Sequence, residues 1–316
     1  MAAQLPRIAK IEAGSAGWGY FLCTRKDVRT GQKGEYLSVL LQDVSGEIRA
    51  KVFQDVEATK LEFDTGEFVK VQAKGNSFNQ QLELIIDKIR RVHPERDALE
   101  GFREEDCIRC APRSADTMWQ ELIDRISSVG DGHLRALLTV MTGQHADRLK
   151  VWPAARQVHH AYRSGLLEHI LKIIEVGSFL ADQYGAKRDL VIAGAVLHDI
   201  GKLQELSYEL STDYTVEGNL VGHIAIGLGM VRDAIRAMPE FPSGLALEIE
   251  HLILSHHGSK EMGSPVSPMT VEAFILSSVD DLDAKMQQIR QHLADDNTDG
   301  PFTAYHRRFE RAFLKP

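Results

Sequence analysis

Five histidines and two aspartates lie inside segments of this chain that are otherwise apolar, and this constrains its fold more than any other feature. His169 sits in LLEHILKII, His198 and Asp199 in VIAGAVLHDIGK, His223 in LVGHIAIGLG, His256 and His257 in LILSHHG, and Asp280 in ILSSVDDLDAK. Such segments are buried, and an imidazole or carboxylate buried without a partner is costly. A single histidine of this kind is ordinarily a hydrogen-bonded core or helix-end residue. Seven such groups, including an adjacent His-Asp pair and an adjacent His-His pair, are satisfied together most economically by metal ions. The fold must then bring them to one interior point, and the set reads as a two-metal hydrolase site.

The flanking pattern is helical. Apolar residues recur at i, i+3 and i+4 from Trp119 to Ile126, from Leu134 to Met141 and from Leu166 to Leu180. Side chains on separate helices of a bundle can converge on one interior point, so residues 116–316 are expected to form an all-α bundle. One interruption, Tyr208 to Asn219, is expected as a β-hairpin beside the site with its turn at Glu217-Gly218-Asn219.

The first 95 residues are different: short, β-rich and punctuated by glycine. Residues 36–41, 48–53, 68–73 and 82–86 read as strands, with Asp43-Val44-Ser45-Gly46 as a tight hairpin turn. About five strands in this length fit a small, closed, all-β barrel. The order, with its DxxG turn, resembles the OB-fold of the tRNA-anticodon-binding type. That fold offers a face on which single-stranded bases stack on aromatics while basic side chains follow the phosphates. The candidates for that face are Tyr20, Phe21, Tyr36, Phe53 and Phe78, with Arg25, Lys26, Arg49, Lys51 and Lys74. Alternating aromatics also fill barrel cores, so each aromatic is open to either role. The expected layout is multidomain: a barrel over 1–95, a linker over 96–115 and a helical domain over 116–316. The linker reading rests on PERDALEGFREEDCIRCAP, a charged stretch without a core pattern.

A net charge of −8 excludes indiscriminate binding to nucleic acid, although residues 1–95 hold 14 Lys/Arg against 13 Asp/Glu. Affinity for a nucleic acid must come from a local groove. The longest apolar run, Leu190 to Leu197, is too short to span a bilayer, and the first residues lack the apolar core of a secretory signal. A cytoplasmic protein without a membrane partner is expected. Three cysteines, Cys23, Cys107 and Cys110, cannot complete a disulfide framework, and Cys107-x-x-Cys110 reads as two reduced thiols.

His169, His198-Asp199 in HDIGK and Asp280 match the H…HD…D signature of the HD phosphohydrolase superfamily. With HHAYRSGLLEH, GHIAIG, SHHG and VDDLDAK behind an OB-like domain, the chain is similar to the YhaM-type 3′→5′ exoribonucleases. It departs from that pattern at Ser164, where a second glycine is expected, and at Asp281, where the family often has asparagine. The resemblance implies a first metal held by His169, His198, Asp199 and Asp280, and a second held by Asp199, His223, His256 and His257, with Asp199 bridging. Imidazoles and carboxylates without a thiolate suit two divalent transition-metal ions. On the resemblance Mn²⁺ is the first expectation, with Fe²⁺, Co²⁺, Ni²⁺ and Zn²⁺ as alternatives.

Lys202 is read as a catalytic cation for a phosphate oxygen, against the alternative of a solvated helix-end lysine. His159 and His160 either contact the terminal nucleotide or pack. Asp283 and Lys285 are expected to form a local ion pair, and His93, His133, His145, His251, His292 and His306 to be surface residues. The implied activity is hydrolysis of single-stranded RNA from its 3′ end to nucleoside 5′-monophosphates, with single-stranded DNA as an alternative substrate and a homo-oligomer as a plausible state. Two other readings stay open: a phosphodiesterase or phosphohydrolase acting on small or cyclic nucleotides, and a single-strand-binding factor with a non-catalytic HD domain.

Overall fold

A computed structural model describes residues 4–31, 34–78, 81–156, 160–208 and 212–316. The contacts divide the chain into two compact units, Met1–Cys110 and Ala111–Pro316.

The first unit is a closed five-stranded barrel. Its elements are β1 (Ala16–Gly31), β2 (Gly34–Asp43), β3 (Gly46–Val52), α1 (Val56–Glu62), β4 (Phe68–Phe78) and β5 (Gln81–Arg91), followed by two short helices, α2 (Pro94–Ala98) and α3 (Glu104–Cys107). The strand order around the barrel is β1-β2-β3-β5-β4, and only β3 and β5 run parallel. The β2–β3 turn falls at the expected DxxG. Asp43 closes it, its Oδ1 accepting from the Ser45 amide and hydroxyl and its Oδ2 from the Ile8 amide. Strand alternation fills the interior with Phe21, Leu37, Val39, Leu41, Ala50, Val52, Val69, Val71, Leu84 and Ile86.

Residues 96–115, expected as a linker, contribute instead to packing in both units. Cys107 and Phe102 are buried with Val92 in a small cluster against Tyr20 and Phe68. Asp97 is fully buried and paired with Arg90, whose nitrogens lie 2.6 and 2.7 Å from its two oxygens. The sequence shows no core period there because two short helices offer one or two inward residues each, too few to repeat.

The second unit is mainly helical, with one small hairpin and, after the last helix, an irregular segment closed by the bridges Phe302–Leu314 and His306–Arg311. It comprises α4 (Ala115–Ser127), α5 (Gly132–Gln144), α6 (Ala146–Val151), α7 (Gly165–Tyr184), α8 (Arg188–Leu197), α9 (Lys202–Glu205), β6 (Leu206–Tyr208), β7 (Thr212–Tyr214), α10 (Val216–Val221), α11 (His223–Arg236), α12 (Ser243–Ser255) and α13 (Val271–Asp295). Caps set several starts: the Ser114, Asp131 and Thr270 side chains accept first-turn amides of α4, α5 and α13. Helices α7 and α8 form the centre and pack on each other and on α13. Every residue of α8 from Leu190 to Leu197 is buried.

The hairpin differs from expectation in its turn. Glu217, Gly218 and Asn219 lie in α10, because Thr215 caps that helix by accepting the Gly218 amide at 2.8 Å. Gly218 is required by packing rather than by a turn, since a Cβ there would come within 2.1 Å of the Glu205 carbonyl oxygen. The strands that do pair are β6 and β7, with Leu206 opposite Tyr214.

Candidate metal centre

The seven residues are delivered by five stretches of the helical unit. His169 lies in the first half of α7, and His198 and Asp199 directly follow α8. His223 opens α11, His256 and His257 follow α12, and Asp280 lies on α13. Two glycines permit this convergence. A Cβ on Gly201 of HDIGK would approach the His223 carbonyl oxygen to 2.0 Å, so only glycine lets the start of α11 come so close. A Cβ on Gly165 would meet the His160 carbonyl oxygen at 2.0 Å.

Asp199 sits in the middle, 2 % exposed. Its two oxygens face different histidines. Oδ2 lies 3.3 Å from His198 Nε2 and 3.6 Å from His169 Nε2, whereas Oδ1 lies 3.5 Å from His223 Nε2 and 3.8 Å from His256 Nε2. Asp280 Oδ1 is 3.3 Å from His169 Nε2. The donor atoms of His169, His198 and Asp280 fall within 4.8 Å of one another, and so do those of His223, His256 and His257.

The imidazoles are pre-oriented. In all five, Nδ1 faces an oxygen acceptor: Asp283 for His169, the Ala195 carbonyl for His198, Glu205 for His223, and the Ile253 and Met262 carbonyls for His256 and His257. An Nδ1 proton held in this way leaves the Nε2 lone pair directed at the centre. Asp199 Oδ1, His223 Nε2 and His256 Nε2 are buried without a hydrogen-bond partner. Orphaned buried acceptors of this kind need a cation. His169 Nε2 and His198 Nε2 approach to 3.3 Å, a nitrogen–nitrogen contact that a proton or cation must mediate.

The electrostatics agree with a cation site. Burial holds His256 well below the ordinary histidine range and lowers His257 as well, which favours the neutral imidazole that a metal requires. His169 differs: it is raised to about 9, because Asp280 and Asp283 outweigh the burial that opposes its charge, so without a metal it carries a second proton that a bound cation would displace. Asp199 is held well below the ordinary carboxylate range although burial opposes this, chiefly by the Lys202 ammonium, with the His198 and His223 rings beside it. Lys202 Nζ lies 2.6 Å from Asp199 Oδ2, and the lysine is buried rather than a solvated helix end.

The other candidates divide. His160 is 4 % exposed and bonded to Asp283 and Glu168, so it packs behind the centre, while His159 lies outside the described residues. Asp283 bonds His169 and His160 instead of Lys285, which pairs with Asp281. Helical spacing explains the error, since Asp281 and Lys285 are one full turn apart on α13. The carboxylates of Asp283 and Glu205 behind His169 and His223 were missed, because nothing local in the sequence links them to those histidines. Ser164 adopts a left-handed backbone, φ 65°, where the expected glycine would be unstrained, and its hydroxyl donates to the Lys150 carbonyl at 2.6 Å. Of the six histidines expected at the surface, His292 and His306 instead pack edge-on at 4.7 Å in a cluster with Phe309 and Phe313.

On the barrel, Tyr36, Arg25, Arg49 and Lys51 line one outer groove with Arg29, Asp27 and Glu83. Exposed Phe53 packs 5.5 Å from Tyr36, ring to ring, and Lys51 lies over the Tyr36 ring at 5.9 Å. Register places Lys74 opposite Ile85, and Ile85 beside Lys51. Phe21 points into the core, 2 % exposed, and Tyr20 packs at a tilt against Phe102 in the cluster with Val92 and Cys107. Lys26 is tied to the end of α1 through the Lys60 carbonyl at 2.9 Å and Asp64 at 3.1 Å. These three therefore leave the candidate face, each for a packing reason that alternation alone does not reveal. Phe53 is outward as expected, and the Phe78 side chain lies outside what is described.

The chain matches the HD domain over residues 166–285 and the OB-fold nucleic acid binding domain over residues 23–92. Fold and site thus define an HD-domain protein with an OB-fold module. The chain is 35 % identical over 261 residues to the 3′-5′ exoribonuclease YhaM of Bacillus subtilis (strain 168), covering 82 % of this chain and 81 % of that one. It is 32 % identical over 272 residues to the YhaM of Listeria innocua, covering 85 % of each. The chain belongs to the YhaM family of 3′-5′ exoribonucleases. The HD domain of L. monocytogenes phosphodiesterase PgpH is a distant likeness, with a TM-score of 0.27 and 20 % identity over 38 % of this chain and 66 % of that one. No helix among the described residues is long and apolar enough to cross a membrane.

Proposed function

We propose that this protein is a metal-dependent 3′-5′ exoribonuclease that hydrolyses single-stranded RNA to nucleoside 5′-monophosphates. The observation that carries the reading is the division of Asp199: one oxygen faces His169 and His198, the other His223 and His256. This supports two cation positions, one served by His169, His198, Asp199 and Asp280 and the other by Asp199, His223, His256 and His257, with Asp199 shared. Two divalent ions supply Lewis acidity to the scissile phosphodiester and lower the pKa of water, so that a nucleophile exists near neutral pH. Nitrogen and carboxylate donors favour Mn²⁺ or another divalent transition metal over an all-oxygen magnesium cage.

The chain's own residues then have defined tasks. The histidines and carboxylates form a frame whose rings are already oriented by their Nδ1 hydrogen bonds. Lys202, already charged and buried beside Asp199, is placed to neutralise negative charge that develops on the phosphoryl oxygens. On the barrel, Tyr36 and Phe53 offer flat apolar surface for bases, and Arg49 offers charge for phosphates beside Arg25 and Arg29, which share Asp27, and Lys51, which pairs with Glu83.

The test is incubation with 5′-end-labelled single-stranded RNA in Mn²⁺, beside EDTA and Asp199→Ala controls. A ladder shortening from the 3′ end and absent from both controls is expected. RNA left intact in every lane contradicts the reading.

A further inference from the structure

The five histidines of the centre are anchored in two distinct ways. His198, His256 and His257 lean on backbone carbonyls, those of Ala195, Ile253 and Met262. His169 and His223 lean on carboxylates, Asp283 Oδ2 at 2.8 Å and Glu205 Oε1 at 3.0 Å. The two carboxylate-backed rings are on opposite sides of Asp199: His169 faces Oδ2 and His223 faces Oδ1. Each half of the donor set therefore holds one histidine with a negative charge behind it. A carbonyl and a carboxylate both fix a ring, but only the carboxylate also draws on the Nδ1 proton and makes Nε2 a stronger electron-pair donor.

The two carboxylates are built in with care. Glu205 is largely buried and accepts from both the backbone amide and the ring of His223, so it fixes the start of α11 and the imidazole together. Its helix α9 is held in turn by the Trp152 indole, which donates to the Lys202 carbonyl at 2.9 Å. Asp283 Oδ2 is shared by His169 and by His160 Nε2, the latter at 3.0 Å. His160 is buried in a left-handed backbone conformation, φ 46°, with its Nδ1 2.8 Å from the Tyr162 hydroxyl. Tyr162 is bonded to Glu168 and to the Gln287 amide. A non-glycine residue is held in that conformation only when its surroundings over-determine it.

We propose that Asp283 and Glu205 are positioning residues that set the affinities of the two cation positions separately, Asp283 acting through His169 and Glu205 through His223, with His160 bracing Asp283. This rests on the two-cation reading above, and the experiment separates the two. Metal-free full-length protein is titrated with Mn²⁺ by calorimetry, with thermal unfolding of each metal-free variant as a fold control. Wild-type protein is expected to bind two equivalents. Asp283→Asn and Glu205→Gln, which keep shape and remove charge, are each expected to weaken one equivalent by about 10- to 100-fold and to spare the other. On a His223→Ala background one equivalent remains; Asp283→Asn is expected to weaken it further, and Glu205→Gln to leave it unchanged. His160→Asn is expected to weaken the same equivalent as Asp283→Asn, and the two changes together to do little more than Asp283→Asn alone.

Two wild-type equivalents with unaltered binding in both variants overturn this inference alone. Equal weakening of both equivalents in each variant, with a lower unfolding temperature, shows a general structural role and also overturns it. Wild-type protein that binds no Mn²⁺ overturns the two-cation reading, and this inference falls with it.

Discussion

The ammonium of Lys202 sits 2.6 Å from Oδ2 of Asp199, the same carboxylate oxygen that faces His169 and His198. One turn of chain thus supplies both the shared acid of the centre and a fixed positive charge beside it. Burial opposes the charge on Lys202, but Asp199, Asp280 and Glu205 outweigh it and hold the lysine protonated. Removing a preorganised charge of this kind typically costs about 10²–10³ in rate. Lys202→Ala is therefore expected to lower kcat by about 10²-fold with little change in KM. Steady-state kinetics on a short RNA decides it, and an unaltered kcat removes Lys202 from the chemistry.

Gly201 gives a steric prediction. With the His223 carbonyl oxygen 2.0 Å and the Gly227 nitrogen 2.6 Å from the position of a Cβ, Gly201→Ala must push α11 away from the HDIGK turn. Overpacking typically costs about 1–3 kcal/mol, and backbone neighbours cannot rotate aside, so the upper end is expected. The unfolding temperature should fall by roughly 5–10 °C, and Mn²⁺ affinity should weaken because His223 moves. Unchanged melting and binding would show that the turn can be remodelled freely.

The seven inward residues were legible in sequence because polar groups in apolar helical segments have few other uses, and HDIGK keeps two of them together. The five-stranded barrel was legible for a similar reason: alternation and the Asp43–Gly46 turn are local signals. The misreadings arise where a residue's partner is remote. Phe21 and Tyr20 occupy adjacent strand positions, but one enters the core and the other is covered by helices formed around Asp97 and Cys107. Gly218 looked like a turn residue and is a close-packing one. Asp283 looked like a partner for Lys285 and instead supports His169, more than a hundred residues earlier in the chain.

The barrel face makes a separable prediction. Base stacking on an aromatic is worth about 1–3 kcal/mol, so Tyr36→Ala with Phe53→Ala should weaken binding of a single-stranded oligomer by at least about tenfold. Arg49→Ala and Lys51→Ala should each reduce the salt dependence of binding, by about 0.7 in the slope of log K against log salt. Fluorescence anisotropy at several salt concentrations measures both effects. Wild-type affinity in the aromatic double variant would mean that this groove is not the strand-binding face.

Asp97 sets an acid limit on the barrel unit. The Arg90 guanidinium holds its carboxyl well below the ordinary range, so the folded value lies under the unfolded one. A lowered carboxylate contributes in full above the unfolded value near pH 4 and loses its contribution as pH falls toward the folded one. Asp97→Asn is expected to destabilise by about 2 kcal/mol at pH 7, and the gap from wild type should shrink by up to about 1.4 kcal/mol per pH unit below 4. Denaturant unfolding at pH 7 and pH 3 checks this. An equal gap at both values contradicts the pairing.

The most direct test of the centre itself is a crystal of the wild-type protein soaked in Mn²⁺, with anomalous scattering recorded at the manganese edge. Two peaks are expected, one on each side of Asp199 and roughly 3.5–4 Å apart, the first against His169 and His198 and the second against His223, His256 and His257. A single peak, or a pair that does not share Asp199, would contradict the account.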